Sequence, residues 1–244
     1  VIHKGKEEIA RKICEKWDVP FTLVGYVTDD GILNIKRNGK QVASIPAESL
    51  VLGGGAPQYD REWKRPEYLN ETENFDTSIF EQANAEKDDF WKLLASPTIA
   101  SKRWVFEQYD SQVRTNTVSS KGDAAVVRLK ELPGKAIALA TDCNSRYTYL
   151  NPYSGAMSAV CEAARNVVCV GAKPVAITNC LNFGNPYDPE VYYQFKEAIR
   201  GMGDACRHLD TPVTGGNVSF HNESQNNAIF PTPTIGMLGV IDDI

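Results

Sequence analysis

Thr211-Pro212-Val213-Thr214-Gly215-Gly216-Asn217-Val218-Ser219 is the stretch on which the reading of this chain turns. Thr211 to Thr214 reads as a strand, and it delivers two glycines, an amide and a hydroxyl within five residues. Glycines let backbone N–H groups approach an oxyanion closely, and Asn and Ser then offer neutral ligands or hydrogen bonds. That chemistry suits a phosphate or a metal–phosphate pair. No Gly-x-x-x-x-Gly-Lys-Ser/Thr occurs in the chain, and no Gly-x-Gly-x-x-Gly follows a strand. A nucleotide site here belongs to neither common phosphate-loop class.

The pattern around that stretch alternates strand with helix. Asp188-Pro189 supplies an N-cap and a proline at the first helical position. Tyr192, Phe195, Ile199, Met202, Cys206 and Leu209 then recur at spacings of three and four, which predicts an amphipathic helix. Further upstream, Val175 to Thr178 reads as a strand and Gly155 to Val170 as a helix of small apolar residues. Being apolar nearly all round, that helix is expected to lie buried against a sheet. Ala124 to Leu129, Ala136 to Ala140, Pro212 to Thr214 and Thr234 to Ile241 supply further strands. The fold class is α/β (α+β).

The first half is more polar. Lys4 to Trp17 reads as a helix, Phe21 to Val27 as a strand, and Ile32 to Lys36 and Gln41 to Ile45 as a hairpin about Asn38-Gly39. One helix and three strands cannot enclose a core alone, so residues 1 to about 60 read as the tail of a domain. Both ends of the chain read as cut. Gly53-Gly54-Gly55-Ala56-Pro57 can cradle a phosphate, but its place between a strand and a charged stretch favours a turn or linker. Arg61 to Pro66 reads as a linker that docks through Trp63. Helices are expected at Asp88 to Ala95 and Ile99 to Tyr109, with Ser96-Pro97 between them.

Composition excludes several classes. The 244 residues are 42% hydrophobic and 23% charged, ordinary values for a soluble globular protein. No apolar run approaches the roughly 20 residues that span a bilayer. A net charge of −5 argues against a nucleic-acid partner, which usually meets a basic patch. The expected compartment is the cytoplasm. Six isolated cysteines include no C-x-x-C pair, and Cys161, Cys169 and Cys206 lie in helical apolar patterns as small buried hydrophobes.

Three strand ends carry polar groups. Thr141, Asp142, Asn144, Ser145 and Arg146 follow the strand ending at Ala140, and Asn179, Asn182 and Asn185 follow Thr178. Gly215, Gly216, Asn217, Ser219, His221, Asn222 and Glu223 follow Thr214. Ligand sites of α/β folds gather at such ends. Asp142 can bind a hard cation, with Asn side chains and waters completing the shell. Arg146 can clamp a phosphate or form a surface ion pair. His221 is read as an exposed loop residue rather than a general base. The plainer alternative is that Asn, Gly and Asp here only make turns.

These residues also carry a family resemblance. Asn182-Phe183-Gly184-Asn185-Pro186, Ser145-Arg146-Tyr147, Glu162-Ala163-Ala164-Arg165-Asn166 and Thr211 to Ser219 resemble phosphoribosylformylglycinamidine synthase. So do Tyr109-Asp110, Val113 to Val118, Asn222-Glu223-Ser224 and Phe230-Pro231-Thr232-Pro233. The resemblance covers essentially the whole chain. It implies an aminoimidazole ribonucleotide synthetase N-terminal-like module, a mixed sheet packed with helices, preceded by the tail of a C-terminal-like α/β subdomain. Residues 1–60 would end that first C-terminal-like subdomain, 61–98 would link, and 99–244 would form the second N-terminal-like subdomain.

The activity implied is a carbon–nitrogen ligation of purine biosynthesis. Formylglycinamide ribonucleotide, ATP and ammonia become the formylglycinamidine, ADP and phosphate, with magnesium as the metal. A glutaminase domain or subunit would supply the ammonia, and the remaining subdomains would complete the site. Residue by residue, Asn179 and Gly216 match ATP contacts, Asn217 a magnesium ligand and Ser219 a substrate contact. Asn179 stands where the family often has Asp. Asp142, Arg146 and Asn182 are further candidates. No catalytic residue is assigned, and the isolated chain is expected to be inactive. An alternative is a non-catalytic scaffold half holding a structural nucleotide. A third, a relative of the same fold such as selenophosphate synthetase, fits the Asn182 to Pro186 run less well.

Overall fold

A computed structural model describes residues 1–51, 59–80, 87–225 and 227–244. The triglycine run at 53–55, with Ala56 and Pro57, lies outside the described residues. The chain divides into two compact units, Val1–Asp60 and Arg61–Ile244.

In the first unit α1 spans Glu7–Lys16, and β1 (Ile32–Arg37) pairs antiparallel with β2 (Lys40–Pro46). Asn38 and Gly39 both take positive φ, 50° and 76°, as a two-residue hairpin turn with matched twist requires. A short 3-10 turn, Ala47–Leu50, follows. Phe21 to Val27, read as a strand, is not one. Its β-prone residues find no ladder partner among the described residues, and propensity without pairing does not make a strand. Ile9, Ile13 and Trp17 do share one side of α1, but all three are exposed, and no described residue of this unit is buried.

The second unit opens with α2 (Tyr68–Glu73), α3 (Lys87–Ala95) and α4 (Arg103–Phe106). The helix expected over Ile99 to Tyr109 is only this last turn, because its apolar side chains (Trp104, Phe106, Tyr109) stay exposed and packing adds little to a short segment. Then come β3 (Thr117–Ser119), β4 (Ala125–Arg128), β5 (Ala136–Asp142), α5 (Ser145–Leu150) and α6 (Pro152–Cys169). The unit closes with β6 (Lys173–Asn182), α7 (Pro189–Leu209), β7 (Val213–Ser219), a small pair β8 (Glu223–Ser224) and β9 (Asn227–Ala228), and β10 (Thr232–Ile241). Among the described residues, six strands form one sheet in the order β3-β4-β5-β10-β6-β7. Only β6 and β7 run parallel, so the sheet is mixed.

The sheet's central strand shows which face is covered. Along β10 buried and half-buried residues alternate without a break, with Pro233, Ile235, Met237, Gly239 and Ile241 buried. Gly239 lies so close to α6 that a Cβ there would meet Val167 Cγ1 at 2.9 Å and Ala172 Cβ at 2.8 Å. The covered face therefore looks at α6, whose Ala156, Ala159, Val160, Ala163, Ala164 and Val167 are buried as expected. Full burial of a residue such as Val160 or Ile235 contributes about 1.5–3 kcal/mol over leaving it exposed. Asn151 and Asp188 cap α6 and α7 by accepting from Ser154 N and Glu190 N, each followed by a proline in the first turn. Cys206 is buried on α7, whereas Cys161 is half-buried and Cys169 is exposed at the last turn of α6. No helix among the described residues is long and apolar enough to cross a membrane.

Trp63, Lys64 and Tyr68 dock on α7. The Trp63 ring lies 6.0 Å from Tyr193, Lys196 Nζ stands 3.4 Å over it, and Lys64 N donates to Pro189 O. Deeper in, Tyr68 stacks on Tyr149 at 4.2 Å, donates to Tyr149 O (2.9 Å) and accepts from Gln194 Nε2 (3.0 Å). Burial pushes the Tyr68 hydroxyl pKa up to about 12, so it stays a donor at any physiological pH. Tyr68→Phe leaves the buried Gln194 amide and a carbonyl short of a partner. A loss of about 1–3 kcal/mol in denaturant unfolding is expected, and an unchanged midpoint would show the docking to be incidental.

Candidate functional site

The glycine-rich stretch is not the loop that its composition suggests. Gly215 to Ser219 belongs to β7, and Asn179 and Asn182 belong to β6, whose pairing with β10 continues to Asn182. Ladder hydrogen bonds on both sides of β6 outweigh the weak strand propensity of Asn. β7 is an edge strand, so part of its N–H and C=O groups face away from the sheet and remain available to a ligand.

Register then sorts the candidates. Ile235 pairs with both Asp142 and Asn179, and Asn179 pairs with Gly216, so these positions form one row across β5, β10, β6 and β7. The row lies on the helix-covered face: Asp142 Oδ2 accepts from Asn166 Nδ2 of α6 at 2.7 Å, and Asn179 Nδ2 contacts Met202 Sδ of α7 at 3.8 Å. The Asn179–Gly216 contact is intimate. A Cβ on Gly216 would fall 2.1 Å from Asn179 Oδ1 and 2.5 Å from Asn179 O, so only glycine fits. Asn217 pairs with Cys180 and Ser219 with Asn182, and strand alternation turns these four toward the opposite, open face. Asn182 Nδ2 donates to Cys180 Sγ at 3.4 Å, as side chains on a shared face can.

The expected residues thus form two groups that meet at the β7 edge. Asn179 and Gly216 approach it from one face, Asn217 and Ser219 from the other. Asp142 stands three strand spacings from Gly216, about 14 Å, and does not share a single cation with Asn217. Arg146, in the first turn of α5, is exposed, as is His221, whose ring lies 6.2 Å from Tyr187. A cleft of ≈ 210 Å³ lined by Arg65, Tyr153, Tyr193 and Arg200, among others, holds none of the candidates.

Asp142 has company that sequence reading did not assign. Burial, and then the neighbouring Glu162 carboxyl, push its pKa above 3.8, while the Asn166 amide opposes that shift. Glu162 and Asn166 are four apart on α6, a spacing that places both on one side of a helix, so the signal was present in the sequence. The sign of the effect follows. Ionised Asp142 destabilises the fold; the cost is absent below pH 3.8 and complete once pH exceeds the raised folded-state value. Asp142→Asn, which can still accept from Asn166, is expected to melt higher than wild type at pH 7. That advantage should close on acidification to pH 3 or below, and an advantage independent of pH would contradict this account.

Comparison with known proteins completes the picture. Residues 121–241 match the family model described as AIR synthase related protein, N-terminal domain. The chain is 54% identical over 256 aligned residues to phosphoribosylformylglycinamidine synthase subunit PurL of Chlorobaculum tepidum, covering all of this chain and 32% of that one. The Leptospira biflexa subunit of the same name is 56% identical over 245 residues, with 98% and 32% covered. The chain belongs to the phosphoribosylformylglycinamidine synthase family. It spans about a third of the length of the curated relatives it matches. Two solved structures of PurL from Thermotoga maritima agree in fold. The form complexed with ATP is 29% identical with a TM-score of 0.62, covering 87% of this chain and 32% of that one. The form complexed with FGAR is 28% identical with a TM-score of 0.61, covering 87% and 31%.

Proposed function

We propose that this chain supplies one nucleotide and substrate half-site of an ATP-dependent ligase that converts formylglycinamide ribonucleotide and ammonia to the formylglycinamidine, ADP and phosphate. The observation that carries the reading is the Asn179–Gly216 contact at the exposed edge of β7, with Asn217 and Ser219 beside it, in a chain of this family. Relatives complexed with ATP and with FGAR support the ligands. The subdomain assignment (1–60, 61–98 and 99–244) and a glutaminase domain or subunit as ammonia source belong to the same proposal. So does a cytoplasmic location.

The chemistry asks for little covalent participation by the protein. An amide oxygen is a poor leaving group, and transfer of a phosphoryl group from ATP makes it a good one, after which ammonia displaces phosphate. The residues here position and stabilise charge rather than move protons. Gly216 lets the strand edge approach the nucleotide, Asn179 borders it, and Ser219 contacts substrate.

Magnesium fits the donors present. Asn217 offers a neutral amide oxygen at the strand edge, a donor that suits a hard cation whose remaining ligands are phosphate and water. When bound, the ion would offset phosphate charge. The test is an assay of the intact enzyme for ADP release. Release that requires both formylglycinamide ribonucleotide and ammonium is expected; ATP turnover indifferent to the ribonucleotide would reject the reading.

A further inference from the structure

Beyond the strand edge, two loops are zipped together. Phe183 N donates to Ser219 O (3.0 Å), Asn222 N to Phe183 O (3.2 Å) and His221 N to Gly184 O (3.0 Å). Glu223 Oε1 accepts from Asn185 N at 3.2 Å. At the centre is the half-buried Asn222 side chain. Its Nδ2 reaches Phe183 O at 3.0 Å, Ser219 O at 2.9 Å and Ser219 Oγ at 3.1 Å. The two backbone carbonyls fix which end of the amide is which, because a flipped amide would set Oδ1 against both. Nδ2 has two hydrogens for three acceptors, so one is shared between Ser219 O and Ser219 Oγ; toward that shared hydrogen the hydroxyl is an acceptor, and its own proton is left to donate. Asn222 Oδ1, at 3.3 Å, is a long resting partner for that proton, and a ligand oxygen at about 2.7 Å outcompetes it.

We propose that Asn222 is a positioning residue that makes Ser219 a hydroxyl donor to an acceptor oxygen of the substrate. This inference rests on the reading of Ser219 as a substrate contact. Nothing in it requires Asn222 to touch the ligand. Its whole effect passes through Ser219, and that is what distinguishes it from a residue that merely stiffens the loop.

The test is a double-mutant cycle in the intact enzyme, reading KM for formylglycinamide ribonucleotide. Ser219→Ala and Asn222→Ala are each expected to raise it about tenfold, the range of one lost hydrogen bond to a polar ligand. The double variant should also rise about tenfold, since Asn222 has nothing left to act through. Glu223→Ala loosens the same loops without touching Ser219 and should leave KM within about twofold. If Asn222→Ala does not fold, Asn222→Ser takes its place in the cycle with the same expectation. Multiplicative effects in the double variant, or a rise in Glu223→Ala equal to that of Asn222→Ala, overturn the inference alone. An unchanged KM in Ser219→Ala overturns both the inference and the substrate-contact reading beneath it.

Discussion

Replacing Gly216 with alanine is expected to lower ATP-dependent turnover by about a hundredfold, the cost of displacing a positioned group by roughly 1 Å. The new Cβ cannot stay 2.1 Å from Asn179 Oδ1 and 2.5 Å from its backbone oxygen. Either the Asn179 amide turns away or the β7 edge moves outward, and both shift the surface proposed to meet the nucleotide. Gly215 is the internal control. A Cβ there has nothing within 4 Å, so Gly215→Ala tests the loss of glycine without the collision. Steady-state rates of the two variants side by side check the argument. Equal losses would point to backbone flexibility instead of the Asn179 contact.

The second large effect concerns the helix layer. Gly201 of α7 is buried, and a Cβ on it would lie 2.0 Å from Tyr153 O of α6. The obstacle is backbone, so no side-chain rotation relieves it and the two helices must separate. Overpacking commonly costs about 1–3 kcal/mol, and a backbone collision falls at or beyond the upper end. Gly201→Ala is expected to lose about 3 kcal/mol in denaturant unfolding, against Gly203→Ala, whose nearest neighbour is the flexible end of Arg207 at 3.5 Å. A loss below about 0.5 kcal/mol, the size of an ordinary surface change, would contradict the close-packed α6–α7 contact.

Much of this fold can be read from local chemistry, and the exceptions have physical causes. Asp188-Pro189 and the apolar recurrence from Tyr192 to Leu209 specify α7, because cap, proline and stripe all agree. The small apolar residues of Gly155 to Val170 specify a buried helix for the same reason. Gly215 to Ser219 reads as a loop because Gly and Asn are turn formers. Pairing with β6, information held some 35 residues away, makes it a strand. Phe21 to Val27 fails in the opposite direction, with strand composition and no partner.

At the site, residue types were legible but facing was not. Asn179, Gly216, Asn217 and Ser219 were all identifiable as polar or permissive positions at strand ends. Their division between two faces of one edge strand depends on register. Asn222 was visible as a polar residue of a motif at a strand end, but the role proposed for it lies in amide contacts to residues that a turn brings back to it.

The central claim is that the β7 edge serves a working ligase site. It is tested most directly by ATP hydrolysis dependent on formylglycinamide ribonucleotide and ammonium, comparing the intact enzyme with its Asn217→Ala variant. Removing one electrostatic contact from a working site costs roughly a hundredfold or more, and that loss is predicted with the fold intact. Unchanged turnover in a folded Asn217→Ala enzyme would contradict the account and assign this half an auxiliary, structural role.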